Sequence, residues 1–417
     1  MQNYRRRKAK RIVVYVEDVE PQSKKMPGDH RDEFQRQILD HLKSVGQPTY
    51  ARSIALNIDL LTTSRTAPQA HTIAKNLLDL LAARCSTVPG TVDSVLYKDD
   101  SQIQALAVAC RHGESRPSIR IEARSLTAML NDLELALEVV REAEMADPMI
   151  EYQRDENSRS IEDFRELVRD EVRSRERLGD ELYDAMLKMT RWSAQRALLS
   201  VSEIDLPVLC WLYGRPKGPF QPVPSGTWAD LIQNSGVRLM VGELPVASGS
   251  SEAFKQRIAA AIAEFKARWG RLIDPLVVAV GLQVIVRPSP STPTGVLHDL
   301  DNIVRDYLLP QIVPSFGTVS DHRWTIDLDD LAKRDPKLAS HWTDGGMPPK
   351  GTKAGVTRYE VWRLPPDPNG APGFVSVALV ADMDAVSGLF EKCDRSLEQW
   401  AEKVEEAARE RSRPWNR

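Results

Sequence analysis

The segment LHDLDNIVRDYLLP, residues 297–310, combines two acids, an amide and a cation with an apolar helical pattern. Asp299 and Asp301 are one residue apart, Asn302 follows directly, and Arg305 lies one turn further on. The apolar residues at helical spacing, which predict a short helix beginning at this cluster, are Ile303, Val304, Tyr307 and Leu308. Either acid could cap that helix. Both acids together with the amide also offer the oxygen ligands that Mg²⁺ prefers. The residue types alone leave both interpretations open.

A second acidic phrase lies far upstream, in VLYKDDSQIQALAV, residues 95–108. There Asp99 and Asp100 precede an apolar run that predicts a strand. Together the phrases DLDNIVR and YKDDSQI resemble the RusA-type Holliday junction resolvases, which carry D-x-D-N-x-x-K on a helix and Y-x-D-D-x-Q-I before a strand. The resemblance implies Mg²⁺-dependent cleavage of branched DNA by clustered aspartates, in a symmetric homodimer. In this chain the two phrases are about two hundred residues apart, which is too far for a single RusA-like domain.

An internal repeat accounts for this separation. Each half of the chain predicts a strand, a helix, a strand, a Pro/Ser/Thr-rich loop, a helix, two strands and a closing helix. The predicted strands with clear bounds are 12–16, 54–60 and 118–123 in the first half, and 237–241, 278–286, 359–364 and 374–380 in the second. A repeat of this size predicts two related structural units. The resemblance to RusA-type proteins covers about residues 11–125 and 236–382.

The register of the repeat divides the motif residues between the halves. When Lys75 is aligned with Arg305, Gln69 lies opposite Asp299, His71 opposite Asp301 and Thr72 opposite Asn302. The first half therefore has the cation and the Asp99–Asp100 pair without the D-x-D-N acids. The second half has D-x-D-N but no acidic pair before its third strand. At that place it has an insertion, residues 318–353, whose alternative metal ligands are Asp327, Asp329 and Asp330.

We therefore predict an α/β (α+β) protein in which two RusA-like mixed-sheet/helix domains form a pseudo-dimer. The domains are residues 1–145 and 205–417, the second with the insertion and a C-terminal helix. A charged helical linker, residues 146–204, joins them. Its predicted apolar stripe, broken near Gly179, consists of Phe164, Leu167, Val168, Val172, Leu182, Met186 and Leu187. We expect a helical hairpin that packs the two halves together; the alternative is an interaction helix for a partner protein or a further oligomer.

Three arrangements of the site are compatible with the sequence. In the first, Asp299 and Asp301 meet Asp99 or Asp100 in one composite site for Mg²⁺ or Mn²⁺. Asn302 would then orient the ligands or the water, and Lys75 and Arg305 would contact the phosphate. In the second, the second half forms a site with an acid from its insertion. In the third, neither half is complete, and the protein is a catalytically inactive RusA-like DNA-binding or scaffold protein.

Charge and composition limit the classes of partner that this protein is expected to bind. The net charge of −3 argues against a protein that coats nucleic acid over its whole surface and is compatible with a local basic cleft. A basic N-terminal arm is expected to contact DNA phosphates, with a solvated tail as the alternative; its residues are Arg5, Arg6, Arg7, Lys8, Lys10 and Arg11. The four cysteines are scattered, which argues against a zinc site or a disulfide framework. No apolar run suits a membrane span or a signal core, so we expect a cytoplasmic protein without membrane contact.

Overall fold

The computed structural model describes residues 2–21, 26–46, 48–64, 69–83, 94–112, 114–144, 149–216, 225–245, 251–278, 280–293, 297–316, 356, 358–381 and 388–412. Within these residues the chain is a mixed α/β protein built on an eight-stranded sheet. The predicted insertion at 318–353, with Asp327, Asp329 and Asp330, lies outside the described residues.

The first part of the chain contains four strands and the helices that flank them. The strands are β1 (Ile12–Glu17), β2 (Ile54–Thr62), β3 (Ile103–His112) and β4 (Ser118–Ser125). The helices are α1 (Gln2–Lys8), α2 (Gly28–Ser44), α3 (Ala70–Ala82) and α4 (Leu126–Glu144). A short 3₁₀ turn, Asp100–Gln102, leads directly into β3.

The remainder contains the linker helices and a second set of four strands. The linker helices are α5 (Met149–Arg169), α6 (Glu171–Leu178) and α7 (Asp180–Ser202). The following helices are α8 (Leu206–Leu212), α9 (Ser225–Gln233), α10 (Ser251–Trp269), α11 (Leu300–Asn302), α12 (Leu309–Phe316) and α13 (Leu389–Ser412). A π-helical segment, Ile303–Leu308, joins α11 to α12. The strands are β5 (Leu239–Gly242), β6 (Val280–Arg287), β7 (Arg358–Arg363) and β8 (Phe374–Ala381).

The strand order of the sheet is β1-β4-β2-β3-β7-β6-β8-β5. In each set of four, the first strand is antiparallel to the fourth, the fourth is antiparallel to the second, and the second is parallel to the third. The two third strands, β3 and β7, pair antiparallel at the centre, from Ala105↔Trp362 to Ala109↔Arg358. The order therefore reads the same from both edges, as a two-fold axis between β3 and β7 would produce.

Each face of the sheet carries its own hydrophobic core, because side chains alternate between the faces of a strand. On the two central strands, Leu106 and Val361 contribute to one core, while Ala105 and Trp362 contribute to the other. Helices α2, α3, α10 and α12 supply buried residues to the first core. Helices α4, α8 and α13 supply the second. Burying each Leu or Val side chain contributes about 1.5–3 kcal/mol, so both cores stabilise the central pairing of β3 with β7.

The linker forms a helical hairpin, with α5 packed against α7 and α7 against β8 of the second set of strands. Gly179 ends α6 with a φ of +78°, a backbone conformation that suits glycine. The predicted apolar stripe was partly wrong: Val172 is 73% exposed, and Leu182 and Met186 are also exposed. Tyr183, next to Leu182, is buried in the first core instead of these three residues. No helix among the described residues is long and apolar enough to cross a membrane.

Candidate metal centre

The D-x-D-N segment lies over the junction of the two central strands. Asp299 occupies the N-cap position of α11 in an extended conformation, and Asp301 is in the first turn. The residues that follow are almost fully buried and anchor the helix to the first core; they are Ile303, Val304 and Leu308. Helix α11 contacts both β3 and β7. As a result Asp301 is only 3% exposed. The π-helical segment begins directly after this motif, and such segments are frequent at functional sites.

The turn before β3 gives Asp99 and Asp100 different surroundings. The Asp99 carboxylate accepts the Ser101 backbone N–H at 2.8 Å and caps the 3₁₀ turn. In return, the Gln102 side-chain oxygen accepts the Asp99 backbone N–H at 3.1 Å. The hydrogen bonds from Ser101 lower the pKa of Asp99. Asp99 thus serves its own turn, whereas Asp100, at the first position of that turn, faces α11 and α3.

Three carboxylates from the two parts of the chain converge. One oxygen from each of Asp100, Asp299 and Asp301 lies within 4.8 Å of the other two. Within the described part of the chain, the buried oxygens Asp100 Oδ1 and Asp301 Oδ2 accept no hydrogen bond. Hard oxygen ligands at this spacing, with unsatisfied buried atoms, suit a divalent cation such as Mg²⁺ or Mn²⁺. The residues present therefore fit the metal that the motifs led us to expect.

Lys75 on α3 partly neutralises this group. Its Nζ lies 3.1 Å from Asp100 Oδ2, 3.0 Å from Asp79 Oδ1 and 3.4 Å from Asp301 Oδ2, the last without hydrogen-bond geometry. Burial lowers the pKa of Lys75, but the charge of Asp301, the hydrogen bond to Asp79 and the charge of Asp100 outweigh burial and raise the pKa above its ordinary value. Lys75 is therefore a cation at neutral pH. Arg305, 3.8 Å from Asp301 Oδ2, is a second cation beside the three clustered carboxylates, which still outnumber Lys75 and Arg305.

The charge excess appears in the acids themselves. Burial raises the pKa of Asp299, and the carboxylates of Asp100 and Asp301 raise it further. Burial also raises the pKa of Asp301, while Lys75 opposes the shift. Burial and the neighbouring carboxylates thus disfavour the charged forms of Asp299 and Asp301 in the metal-free protein. A divalent cation reverses that balance, because it favours deprotonated ligands.

Asn302 and Arg305 form a supporting chain along the same helix. Asn302 Nδ2 donates to Asp299 Oδ2 at 3.1 Å, and Arg305 Nη2 donates to Asn302 Oδ1 at 2.7 Å. Arg305 also lies 3.8 Å from Asp301 Oδ2 and forms an ion pair with Asp306. Asn302 therefore orients Asp299, and Arg305, still partly exposed, is close enough to the acids to reach a phosphate held there.

Sequence reasoning missed Tyr359, which borders the acids on β7. Its ring is buried in the first core, and its hydroxyl has no hydrogen-bond partner among the described residues. Burial and the neighbouring charge of Asp301 raise its pKa. Tyr359 shares the face of Val361, so strand alternation could have placed it on this side of the sheet. Its closeness to Asp301 depends on tertiary packing alone.

Part of the basic N-terminal arm lies on α1, which ends at Lys8, and the arm is held to the second face of the sheet. Arg7 and Arg11 contact Asp132 of α4 at 2.6 and 3.0 Å. Lys8 pairs with Glu398 of α13 at 2.8 Å, and Arg5 pairs with Glu405 of the same helix. The exposed cations of the arm include Arg6 and Lys10. Four of the six side chains that were expected to contact phosphate therefore pair with carboxylates in this structure.

Comparison with known proteins adds no relative. No protein-family description, no curated protein and no solved structure matches this chain.

Proposed function

We propose that this protein is a Mg²⁺- or Mn²⁺-dependent endonuclease for branched DNA, with one composite active site. The observation that carries the proposal is the meeting of Asp100 with Asp299 and Asp301 around Lys75. Asp100, Asp299 and Asp301 belong to the two motifs that resemble the RusA-type resolvases, and Lys75 aligns with Arg305 of the second motif. On this proposal the two halves are related domains that form an internal pseudo-dimer across β3 and β7. The symmetric strand order supports that arrangement.

The chain's own groups divide the work of phosphodiester hydrolysis. Asp100, Asp299 and Asp301 would hold the cation, and Asn302 would orient Asp299. When bound, the cation supplies Lewis-acid stabilisation of the phosphate charge. Lys75 and Arg305 would contact the non-bridging phosphate oxygens.

The hydrolysis consumes one water molecule. The water oxygen forms a bond to phosphorus and gives up a proton to a carboxylate of the centre. The bond from phosphorus to one sugar oxygen breaks, and that oxygen takes up a proton and leaves as a hydroxyl.

A cleavage assay tests the proposal. It would compare a synthetic four-way junction with linear duplex, in Mg²⁺ and in Mn²⁺, for wild type, Asp301→Asn, Asp100→Asn and Asp99→Asn. We expect junction cleavage to fall by more than about a hundredfold in Asp301→Asn and Asp100→Asn, since even outer-shell partners of a metal are worth ten- to a hundredfold. Asp99→Asn is the matched neighbour. It should keep most activity, because asparagine also caps a helical turn.

Two results would contradict the enzyme. Junction binding without cutting under every condition would leave a RusA-like DNA-binding or scaffold protein. Absence of any salt-dependent affinity for DNA would leave a protein-interaction factor built on the charged helices. Cleavage that is lost in Asp99→Asn and kept in Asp100→Asn would move the third ligand to Asp99.

A further inference from the structure

We propose that two copies of this chain associate through the edge strand β1, which joins their sheets across a two-fold axis. This surface lies away from the metal centre, because β1 is at one edge of the sheet and β3 and β7 are at its middle. The proposal therefore does not depend on the proposed function. The partner is a second copy, because β1 and the residues beside it are complementary to themselves in side-chain packing and in charge.

The other edge strand, β5, is protected against pairing with another chain. It has four residues, its register with β8 is irregular between Met240 and Gly242, and α10 packs against it. Arg257 of α10 donates to the backbone carbonyls of Val241 and Glu243 at 3.1 and 2.7 Å. A short strand, a bulge and a covering helix are the usual means of closing a sheet edge.

Strand β1 has a longer and more regular edge. Its six residues, IVVYVE, contain no proline, glycine or lysine. They pair with β4 in an unbroken register, from Ile12↔Ala123 to Glu17↔Ser118. Within the part of the chain that the structure describes, β4 is the only strand beside β1. An apolar edge of this kind is a template for pairing with a strand of another chain.

The outer side of β1 has room for such a strand. A groove of about 600 Å³ lies between β1 and α2. The residues that line it are Val13, Val14 and Tyr15 from the strand, and Gln37, Asp40, His41 and Ser44 from the helix. The strand side is thus largely apolar and the helix side is polar. Protein interfaces have the same arrangement, with an apolar centre and a polar rim.

Tyr15 is an exposed aromatic residue that is already held in place. Its side chain is 60% exposed, in the middle of the apolar strand. Arg120 of β4 donates from Nε to the Tyr15 hydroxyl at 3.1 Å, and its guanidinium lies 5.8 Å from the centre of the ring. The ring is therefore ordered before a partner binds, which lowers the entropy that association costs.

A two-fold axis at Val14 gives a self-complementary packing of side chains. Val14 and Val16 point into the first core, whereas Val13 and Tyr15 point to the second face of the sheet. Antiparallel pairing about Val14 places Tyr15 of each copy opposite Val13 of the other, on that face. Aromatic and β-branched residues form favourable cross-strand pairs. An axis at Tyr15 would instead place Glu17 opposite Val13.

The same axis brings opposite charges together. Lys10 and Asp18 lie four residues before and four residues after Val14, so Lys10 of each copy faces Asp18 of the other. Both residues are exposed. A two-fold axis repeats every contact, so the dimer contains this charge pair twice. Opposite charges across a strand pair stabilise it, and like charges destabilise it.

Sedimentation velocity over a range of protein concentrations tests the dimer. The wild-type protein should change from one chain to two as its concentration rises. Tyr15→Lys should remain a single chain over the same range, because it places a cation in the pairing strand of both copies. Tyr15→Phe is the matched control, since it keeps the ring and should keep the dimer. Circular dichroism and urea unfolding identify the variants that are folded.

A charge exchange tests the register. Lys10→Glu and Asp18→Lys should each raise the dissociation constant of the dimer by about tenfold, because each places like charges opposite each other twice. The double variant should bind more tightly than either single variant, because the charge pair is restored in reverse. A monomer at every concentration would overturn the proposal and leave β1 for a strand of another protein. A dimer equally tight in folded Tyr15→Lys, or no recovery in a folded double variant, would also overturn it.

Discussion

At the scale of single residues, the fold gives identical side chains different chemistry. Asp99 and Asp100 are neighbours, yet one accepts a backbone N–H in its own turn and the other is 3.1 Å from the Lys75 ammonium. Their separation depends on the capping arrangement with Gln102, whose amide also donates to the Tyr50 carbonyl at 2.9 Å. The turn is therefore tied to the start of β2, and Asp100 is directed toward the acids of α11.

Glu360 gives a prediction at this scale. It is 3% exposed on β7, and its carboxylate accepts the backbone N–H groups of Leu389 and Phe390 at 2.8 and 3.0 Å. Burial raises its pKa from 4.5 to about 7, against these hydrogen bonds. A raised acid pKa means that the folded state holds the proton more tightly. The free energy of unfolding should therefore fall as pH rises from about 4.5 to about 7, by up to about 3 kcal/mol.

The measurement is urea unfolding at several pH values for wild type and Glu360→Gln. The variant should lose this part of the pH dependence, because glutamine does not titrate. Glu398→Gln, at an exposed partner of Lys8, is the control and should follow the wild-type profile. Parallel profiles for wild type and Glu360→Gln would show that Glu360 does not titrate in this range.

At the scale of elements, the last helix of the chain packs against the first part. Helix α13 contacts α4, and Asp394 of α13 accepts two hydrogen bonds from Arg124 of β4 at 2.9 and 2.8 Å. Asp132 of α4 is fully buried and contacts Arg7, Arg11 and Arg124. A cluster of this kind is costly to break, because a lost partner leaves buried charge uncompensated.

Asp132→Asn should therefore lower the free energy of unfolding by about 3–5 kcal/mol, measured by urea titration. The variant leaves three arginines with fewer carboxylates in the same buried volume. Glu405→Gln, which removes an exposed partner of Arg5 on α13, should change stability by less than about 1 kcal/mol. Equal effects of the two substitutions would mean that the buried cluster contributes little.

At the scale of the whole molecule, the acids join parts of the chain that are far apart in sequence. Asp100 precedes β3, and Asp299 and Asp301 follow β6, so a bound cation links both sides of the central strand pair. Ligands that bind only the folded state stabilise it by mass action. A metal at this centre should therefore stabilise the whole sheet.

Thermal denaturation with Mn²⁺ checks this expectation. At a hundredfold excess over the dissociation constant, the wild-type protein should gain about 2.7 kcal/mol of stability. Asp100→Asn should lose most of that gain. Asp79→Asn is the control, because Asp79 also pairs with Lys75 but lies outside the group of three. The gain should shrink as pH is lowered, because protons compete for Asp299 and Asp301, whose pKa values are raised. An equal gain in Asp100→Asn would place the metal elsewhere.

The local elements and their repetition follow from the pattern of residues along the chain. The apolar spacing in residues 71–83 and 126–144 and the β-branched runs at 12–16 and 54–60 predict helices and strands. The structure has them at 70–82, 126–144, 12–17 and 54–62, because periodicity is a local property. The sequence motifs and the repeat also identified Asp299, Asp301 and Lys75 as candidate site residues. Which of the acids meet depends on tertiary packing. Asp100 reaches Asp301 because β3 pairs antiparallel with β7 and α3 packs against α11, and these contacts join residues about two hundred positions apart. The same reason applies to α1, whose cations are matched by carboxylates on α13, at the other end of the chain.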